Sequence, residues 1–525
     1  MSFVSWQFLA FLAVFMMLYF LSGRYASRWQ WLVLLLASYV FYMALTPWTV
    51  IFLILSTVTT WSFSILLEKE EEKLKIALHY NLKDLTKEEK KILKKKTADR
   101  KRLWLVLCIV CNLGVLASLK YTNFVRDIFH FSRISFLVLP LGISFYTFQS
   151  LGYCIDVYRG MASAEKNFLK YTLFVSYFPQ ISQGPIGSYQ DLSPQLVAVH
   201  TWDGHRFKLG IERILLGYFK KLVIANNLAL FIDPVYADPA HYSGIVLLFA
   251  TFLYAFQLYA DFSGYMDIVC GVSSCLGIQL AENFETPYFS SSIAEFWRRW
   301  HISLGVWFRN YLYYPLMRSG GISSLSKFFR NRGGKKAAQK IPVILTLFIT
   351  WFVIGLWHGA DVTFILYGLY HGFFIMLSVA LEEHYKSIRE KLHISELSPG
   401  WRFFQVLRTF ATVCAGYILF RAESLSSVGL ILHRVFSAFY YDGWSVGLIS
   451  ESFDFFYWFF MFLLLAFCFF LELVERKTRF SAWLDQQILP VRWGILYIMM
   501  AAVLCMILFT NVREAASGNF IYYNF

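Results

Sequence analysis

The chain has 525 residues, of which 58% are hydrophobic, 20% aromatic and 16% charged. Because so few polar side chains cannot cover a soluble globule of this size, the composition excludes a soluble protein and predicts one that crosses a membrane many times. The net charge of +14 would suggest nucleic-acid binding in a soluble protein, but the basic residues here gather between apolar segments. That pattern is typical of positive-inside loops, so we expect a lipid bilayer and no nucleic acid as partner.

Apolar segments close to bilayer-spanning length recur along the chain, and some are short enough to be re-entrant or interfacial. They cover residues 6–21, 29–45, 48–67, 103–119, 168–178, 211–230, 245–258, 341–357, 362–381, 403–420, 455–471 and 493–509. The first lacks a charged n-region and an A-x-A site, so we expect a retained helix rather than a signal peptide. The predicted fold is all-α, with about 11–13 membrane helices in a single membrane-embedded domain over residues 1–525.

Two charged connections set the predicted topology. Residues 69–102 are highly charged and helix-prone, and residues 318–340 hold seven Lys or Arg and no acid. Both are expected to be cytoplasmic loops, because positive connections stay on that side of a membrane. Counting back from residue 69 places the Arg24 and Arg28 loop inside and the N-terminus outside.

Cys108 and Cys111 form a C-x-x-C pattern within an apolar segment. We interpret them as small apolar packing residues rather than a redox or metal pair. The sequence predicts neither a disulfide nor a metal site.

The sequence FPQISQGP at residues 178–185 interrupts an apolar helix with two prolines and two amides, Gln180 and Gln183. Broken helices at membrane depth are tolerated when they line a cavity or lie buried in protein. A loop at the membrane surface is the alternative.

Residues 259–267, YADFSGYMD, place Asp261 and Asp267 in an otherwise apolar region. Intramembrane acids are costly unless they are paired or face water, so one of them is a candidate partner for an arginine such as Arg298. The favoured alternative is a short loop between two spans, where acids cost little.

In residues 289–320, Ser292 and Glu295 form an S-x-x-E capping box that predicts the start of a helix. At helical spacing Trp297, Trp300, His301, Leu304, Trp307 and Phe308 would share one side, and Arg298 and Arg309 another. One interpretation is an interfacial helix with its arginines at lipid phosphates. The other is a helix inside the protein, with its arginines aimed at an anionic ligand and His301 facing the core.

His358 and His371 lie in a long apolar stretch, each next to a glycine of a G-x-x-x-G pattern that lets helices approach closely. An imidazole buried in hydrocarbon needs a partner or a task, so intramembrane histidines are functional candidates. For His371 we favour a satisfied core residue. His358 adjoins Gly359 and Asp361, where the stretch turns polar, and is therefore expected at the edge of a cavity.

Together these motifs resemble the membrane-bound O-acyltransferase family. The resemblance rests on SFYTFQSLGYCIDVYRG (144–160), FPQISQGPI (178–186), YADFSGYMDI (259–268), NFETPYFSSSIAEFWRRWHISLGVWFRNYLYYPL (283–316), GLWHGADVTFILYGLYHG (355–372) and FIYYNF (520–525). It is closest to the bacterial branch that holds alginate O-acetyltransferases and teichoic acid D-alanyl transferases. The length of the chain and its GLWHGA motif favour the alginate or cell-wall polysaccharide type.

The resemblance implies a helical fold around a central funnel, with His358 as the catalytic histidine. His301 matches a second position that the family usually fills with Asn, Asp or His. The implied reaction moves an acyl group from a cytoplasmic thioester, either acetyl-CoA or an acyl carrier, to hydroxyls of an extracytoplasmic polysaccharide. A serine-hydrolase-like (SGNH) acetyltransferase is the implied partner, the bacterial inner membrane the implied location, and no bound cofactor is implied.

A thioester is already activated, so one imidazole that takes the hydroxyl proton is enough chemistry for this transfer. We therefore predict His358 as base, and His301 as the group that orients the reactants or stabilises the oxyanion. Arg298, Arg299 and Arg309 are candidates for donor phosphates, since guanidinium groups suit bidentate phosphate contacts. Trp357, Asp261 and Gln183 are further binding candidates.

Two alternatives stay open. D-alanyl transfer to teichoic acid is a related reaction, and a transporter or flippase of lipid-linked sugars would also have many spans and buried charges. A transporter predicts two similar halves, which the sequence does not display. The acceptor polymer is left undecided.

Overall fold

The structure is a computed structural model that describes residues 2–80, 85–134, 138–439 and 454–509. These residues form helices, and the one β-bridge among them joins Phe284 and Trp300. The chain divides into two compact units, Met1–Gly210 with Val269–Ala281, and Ile211–Ile268 with Glu282–Phe525.

Helices α1 to α8 belong to the first unit. They are α1 (Trp6–Tyr25), α2 (Gln30–Leu45), α3 (Val50–Tyr80), α4 (Lys87–Ile128), α5 (Ile143–Arg159), α6 (Phe168–Ser176), α7 (Phe178–Ile181) and α8 (Tyr189–Val197), with 3₁₀ turns at Ser27–Trp29 and Pro47–Thr49.

Two further helices, α9 (Gly204–Tyr218) and α11 (Gly244–Cys275), contribute residues to both units. The second unit also holds α10 (Asn226–Ala237), α12 (Ile293–Arg299), α13 (Ile302–Phe308), α14 (Tyr314–Met317), α15 (Gly320–Arg332), α16 (Gly334–His358), α17 (Val362–Ala380), α18 (Glu382–Lys391), α19 (Pro399–Arg421), α20 (Leu425–Ser437), α21 (Phe455–Glu475), α22 (Phe480–Asp485) and α23 (Leu489–Phe509). Its irregular helices are π-helices at Phe219–Ala225 and Arg309–Tyr313 and 3₁₀ turns at Pro239–His241 and Pro287–Phe289.

Eleven helices of the described residues are long and apolar enough to cross a membrane. They coincide with eleven of the predicted segments, which confirms the all-α, polytopic class. The exception is the segment at 168–178, where Phe168–Ser176 is too short to span and ends just before Pro179. The predicted central funnel stays a prediction.

The charged connection at residues 69–102 is helical on both sides of the four residues that the structure leaves undescribed. Helix α3 runs on to Tyr80, and α4 begins at Lys87 behind a capping box of Thr86 and Glu89. The basic connection at 318–340 is helical as well, since it forms α15 and the first turns of α16. The cytoplasmic side of both connections stays a prediction.

The broken helix at residues 178–185 lies inside protein. All eight of its residues are buried, the Phe178 N–H donates to Ser38 Oγ at 3.1 Å, and the Gln180 amide donates to the Pro185 carbonyl. The interpretation as a surface loop is therefore wrong. Neither amide atom of Gln183 has a hydrogen-bond partner among the described residues.

Asp261 and Asp267 lie within α11, so the favoured interpretation as a short loop is wrong. Their partners are lysines rather than Arg298: Lys221 Nζ lies 2.5 Å from Asp261 Oδ1, and Lys220 Nζ lies 2.8 Å from Asp267 Oδ2. Arg213 also contacts Asp267, at 3.0 Å. Both lysines belong to the π-helix Phe219–Ala225, and such helices often mark functional or strained sites.

The glycines of the predicted G-x-x-x-G patterns do bring α16 and α17 together. A Cβ built on Gly368 would lie 2.5 Å from the Trp351 carbonyl oxygen, and one on Gly355 would lie 2.7 Å from that of Phe364. The backbones meet more closely than any side chain allows, and this contact fixes the end of α16, where His358 lies.

Replacing Lys221 with alanine should strongly destabilise the protein. The side chains of Lys221 and Asp261 are 4% and 2% exposed, so the variant removes the lysine that neutralises a buried carboxylate. We expect a loss of about 3–5 kcal/mol in the free energy of unfolding, measured by thermal denaturation of the purified protein in detergent.

Lys336→Ala is the matched control, because Lys336 and Glu383 also form a close pair, at 2.7 Å, but with side chains that are 78% and 55% exposed. This variant should unfold like the wild type. Equal melting temperatures of the two variants would contradict a stabilising role for the buried pair.

Candidate active site

The aromatic segment around His301 is not one amphipathic helix, as its spacing predicted. Helix α12 ends at Arg299, Trp300 is extended with ψ 128°, and α13 starts at Ile302. Ser292 does cap α12, but the Glu295 carboxylate accepts from the backbone and hydroxyl of Ser291 rather than from the cap residue. The break turns His301 away from the regular helical stripe.

His301 lies at this break with a left-handed backbone, φ 48° and ψ 53°. Its side chain is 2% exposed and packs edge-on against Phe262 of α11, with ring centroids 4.9 Å apart. Burial lowers the pKa of His301 to about 3. The imidazole is therefore neutral at physiological pH and keeps one N–H donor and one acceptor nitrogen.

His358 is the last residue of α16 and is 1% exposed. Its ring lies 4.9 Å from that of Trp357 and 5.6 Å from that of Phe420, centroid to centroid. The Trp357 indole also lies 6.0 Å from the His301 ring. The two histidines predicted as catalytic therefore both contact Trp357.

A cavity of about 390 Å³ opens beside His301, in the size range of small-molecule sites. Helices α12, α13 and α16 supply most of its wall, and Arg298 and Arg309 line it too. Its apolar lining includes Trp297, Leu304, Phe308, Leu347, Trp351 and Ile354. Gln183, Asp261, Arg299, Trp357 and His358 do not line this cavity.

The three candidate arginines differ in their surroundings. Arg299 is bound to Glu295 at 2.7 Å and lies 3.3 Å from Thr286 Oγ1. Arg298 and Arg309 are exposed and form no salt bridge within the described part of the chain. Those two have guanidinium groups available to an anionic ligand, whereas Arg299 is held by a carboxylate.

His371 fits the favoured interpretation of a core residue. It is fully buried, its ring lies 4.7 Å from that of Tyr367, and a Cβ on Gly416 would lie 2.7 Å from its Nε2. Within the described ranges, no group of three or more His, Cys, Asp or Glu side chains is placed to hold a metal ion.

Sequence reasoning missed several residues around the histidines. Tyr367 and Phe420 pack on His358, and Asn283 bonds to the backbone beyond His301. The aromatic residues carry no signal, because this chain is aromatic throughout. Asn283 is a polar residue eight positions beyond the end of α11, and a polar residue near a membrane helix is a weak cue.

Comparison with known proteins identifies the family. The family model of MBOAT, membrane-bound O-acyltransferase family, matches residues 163–395, a range that contains both histidines. A probable alginate O-acetylase of Pseudomonas syringae pv. tomato is 37% identical over 84% of this chain and 76% of the relative. The chain belongs to the membrane-bound O-acyltransferase family.

Two other relatives represent neighbouring branches of this family. A peptidoglycan O-acetyltransferase of Helicobacter pylori is 33% identical over 63% of this chain and 64% of the relative. A teichoic acid D-alanyltransferase of Bacillus subtilis is 29% identical over 55% of this chain and 70% of the relative.

This membrane-bound O-acyltransferase is thus a multi-pass membrane enzyme, as the sequence predicted, and an acyl donor and an acceptor are its substrates. Family membership favours the acyltransferase over the transporter alternative. The terminal FIYYNF motif lies outside the described residues. The roles of individual site residues stay predictions.

The buried, neutral state of His301 predicts a pH-dependent stability. The unfolded pKa is about 6.5 and the folded one about 3, so between these values the unfolded state binds a proton that the folded state does not. The free energy of unfolding should therefore fall as pH drops through this window. His301→Asn should lack the part of this pH dependence that comes from His301. Between pH 6.5 and 4.5 the difference is about 2–3 kcal/mol, measured from unfolding in detergent at both pH values.

His384→Asn serves as the control, since His384 is exposed on α18. It should keep the wild-type dependence on pH. If His301→Asn also kept the wild-type slope, the buried neutral imidazole would be contradicted.

Proposed function

We propose that this enzyme is an O-acetyltransferase that moves an acetyl group from a cytoplasmic thioester towards hydroxyls of an extracytoplasmic polysaccharide such as alginate. The observation that carries the reaction is the pair of buried histidines around Trp357, one of them beside an apolar cavity. The choice of acetyl group and polysaccharide rests on the relatives named alginate O-acetylase and peptidoglycan O-acetyltransferase.

His358 acts as the general base in this proposal. A neutral imidazole nitrogen takes the proton from the acceptor hydroxyl as its oxygen attacks the thioester carbonyl. The C–S bond of the resulting tetrahedral intermediate then breaks, and the thiolate leaves with the proton that His358 had accepted. Acetyl ester and free thiol are the products, so the reaction needs no further acid, base or oxidant.

His301 supplies the second function, the stabilisation of negative charge on the carbonyl oxygen. A neutral imidazole donates one N–H, and burial keeps His301 neutral. A donor in a dry, low-dielectric site is worth about a hundred- to a thousandfold in rate. The Trp357 indole lies against both imidazole rings, with ring centroids 6.0 Å from His301 and 4.9 Å from His358.

Arg298 and Arg309 bind the phosphates of the donor, either acetyl-CoA or the phosphopantetheine of an acyl carrier. Both line the cavity beside His301 and are exposed, which suits a charged group that arrives from water. The apolar interior of the cavity suits the uncharged arm and the acyl group. Arg299, Asp261 and Gln183 stay candidates for substrate contact.

The cellular setting is proposed on the same grounds. The basic connection at 318–340 lies on the cytoplasmic face of the bacterial inner membrane, with the N-terminus outside. A serine-hydrolase-like (SGNH) partner on the far side then hands the acetyl group to the polymer. D-alanyl transfer to teichoic acid is the second candidate, since a D-alanyltransferase shares 29% identity over half of the chain.

Replacing His358 with alanine should abolish acetyl transfer, because the hydroxyl then has no base. The rate should fall by at least a hundredfold, measured as acetate released by alkali from the surface polymer of cells that express the variant. His384→Ala is the matched control and should retain full transfer, since His384 is exposed on α18. Wild-type polymer acetylation in the His358 variant at normal expression would remove the assignment.

Replacing both Arg298 and Arg309 with glutamine should raise KM for acetyl-CoA about tenfold or more, because two phosphate contacts are lost. The change in kcat should be smaller, since neither arginine contacts the acyl group. Initial rates of thiol release by purified protein in phospholipid vesicles measure both constants.

Arg402→Gln provides the comparison, since Arg402 is an exposed arginine of α19 outside the cavity lining. It should leave KM unchanged. An unchanged KM in the double variant would mean that the donor phosphates bind elsewhere.

A further inference from the structure

The backbone on both sides of His301 is paired with an earlier stretch of chain. Phe284 and Trp300 form an antiparallel bridge, and the Glu285 N–H donates to the Arg299 carbonyl at 3.0 Å. On the other side of His301, the Ile302 N–H donates to the Asn283 carbonyl at 3.1 Å. His301 is therefore enclosed between two backbone contacts to residues 283–285.

The side chain of Asn283 adds a third contact. Its Oδ1 accepts from the Ser303 N–H at 2.9 Å, although the two residues are 20 positions apart in sequence. The first N–H groups of a helix have no partner within it, and the residue before the helix usually caps them. Here that residue is His301, whose side chain makes no capping bond, and Asn283 caps α13 in its place.

The capping bond holds a strained residue. His301 is one of four non-glycine residues with positive φ in the described chain, and such conformations persist only where the surroundings over-determine them. With Asn283 in place, an extended Trp300 and the first turn of α13 fix both sides of the left-handed position. The imidazole is then directed towards Phe262 and Trp357.

Asn283 also connects this turn to α11. Its Nδ2 donates to Met266 Sδ at 3.3 Å, and Met266 lies one helical turn beyond Phe262, against which His301 packs. The same stretch of α11 carries Asp261 and Asp267, which are bound to the lysines of the π-helix. One braced helix thus holds both the ring of His301 and the amide that fixes its backbone.

We infer that Asn283 is a positioning residue for the reaction: it caps α13 and thereby fixes the left-handed turn that presents His301 to the site. The residue is 1% exposed and lies outside the cavity lining, so it acts through His301 and not on substrate. The inference rests on the proposed role of His301 in acetyl transfer.

Removing the Asn283 side chain should loosen the turn and slow the reaction together. In Asn283→Ala the amides of Ile302 and Ser303 should exchange with deuterium at least about fivefold faster, since a capping bond is lost. The kcat for thiol release from acetyl-CoA, with the SGNH partner and de-O-acetylated alginate both present, should fall about ten- to a hundredfold, because small misplacements of a catalytic group are costly. Asn283→Asp keeps an oxygen for the Ser303 N–H. It should therefore show a smaller rise in exchange at residues 302 and 303 and a smaller fall in kcat.

Asn112→Ala is the matched control, since Asn112 is another buried asparagine, bonded to the Cys108 carbonyl in the first unit. It removes an amide of the same size and should leave exchange at residues 302 and 303 and kcat at their wild-type values. A general loss of folding would instead raise exchange in both variants along the whole chain.

A double-mutant cycle separates positioning from a direct or purely structural effect. If Asn283 acts through His301, then Asn283→Ala should change the residual rate of His301→Ala by less than about twofold. An equal loss with and without the His301 side chain, or unchanged exchange at residues 302 and 303 in Asn283→Ala, would overturn the inference. Should His301→Ala have no measurable rate, the exchange result decides.

The cycle also distinguishes this inference from the proposed function. Wild-type activity in His301→Ala would reject the role of His301 in acetyl transfer, whatever the exchange of residues 302 and 303. Low activity in His301→Ala with wild-type activity in Asn283→Ala would retain that role and reject the positioning by Asn283.

Discussion

The packing of the second unit depends on the pairing of buried charges between α11 and the π-helix Phe219–Ala225. A lone carboxylate or ammonium inside hydrocarbon would cost several kcal/mol, yet α11 carries two aspartates and the π-helix carries two adjacent lysines. Each lysine neutralises one aspartate, so the two helices cannot slide or rotate without separating buried charges. Phe262 and Met266 lie on this braced stretch, so the packing of His301 and the Asn283–Met266 hydrogen bond both depend on these buried ion pairs.

The candidate site combines two buried histidines and an apolar cavity wall with two exposed arginines. A neutral imidazole suits the proposed reaction, in which one proton moves from a hydroxyl to a base and on to a thiolate. Exclusion of water also protects a thioester from hydrolysis, which would otherwise compete with transfer to the acceptor. Arg298 and Arg309, the proposed phosphate contacts, line the same cavity as its apolar wall.

The features that depend on neighbouring residues could be predicted from the sequence. The length of the apolar segments predicted eleven spans, the spacing of glycines predicted the close contact of α16 and α17, and Ser292 predicted a helix start. The wrong predictions concern features that depend on residues distant in sequence. The spacing from Trp297 to Phe308 predicted one continuous helix. The helix is broken because residues 283–285 pair with the backbone on both sides of His301, and this tertiary contact leaves no local signal. Asp261 was placed in a loop because its lysine lies 40 residues away in sequence. The histidines were found because a polar group in an apolar run is itself a local signal.

The backbone of His301 has a consequence for which side chains the site admits. Most residues avoid a left-handed conformation, whereas asparagine, aspartate and histidine are several-fold enriched there. These are the three residues that the family resemblance associates with this position. The left-handed turn therefore limits which residue type can stand at position 301. Steric clashes of the backbone restrict this choice independently of any chemical role. Of the three, histidine alone supplies a ring that fills the space against Phe262.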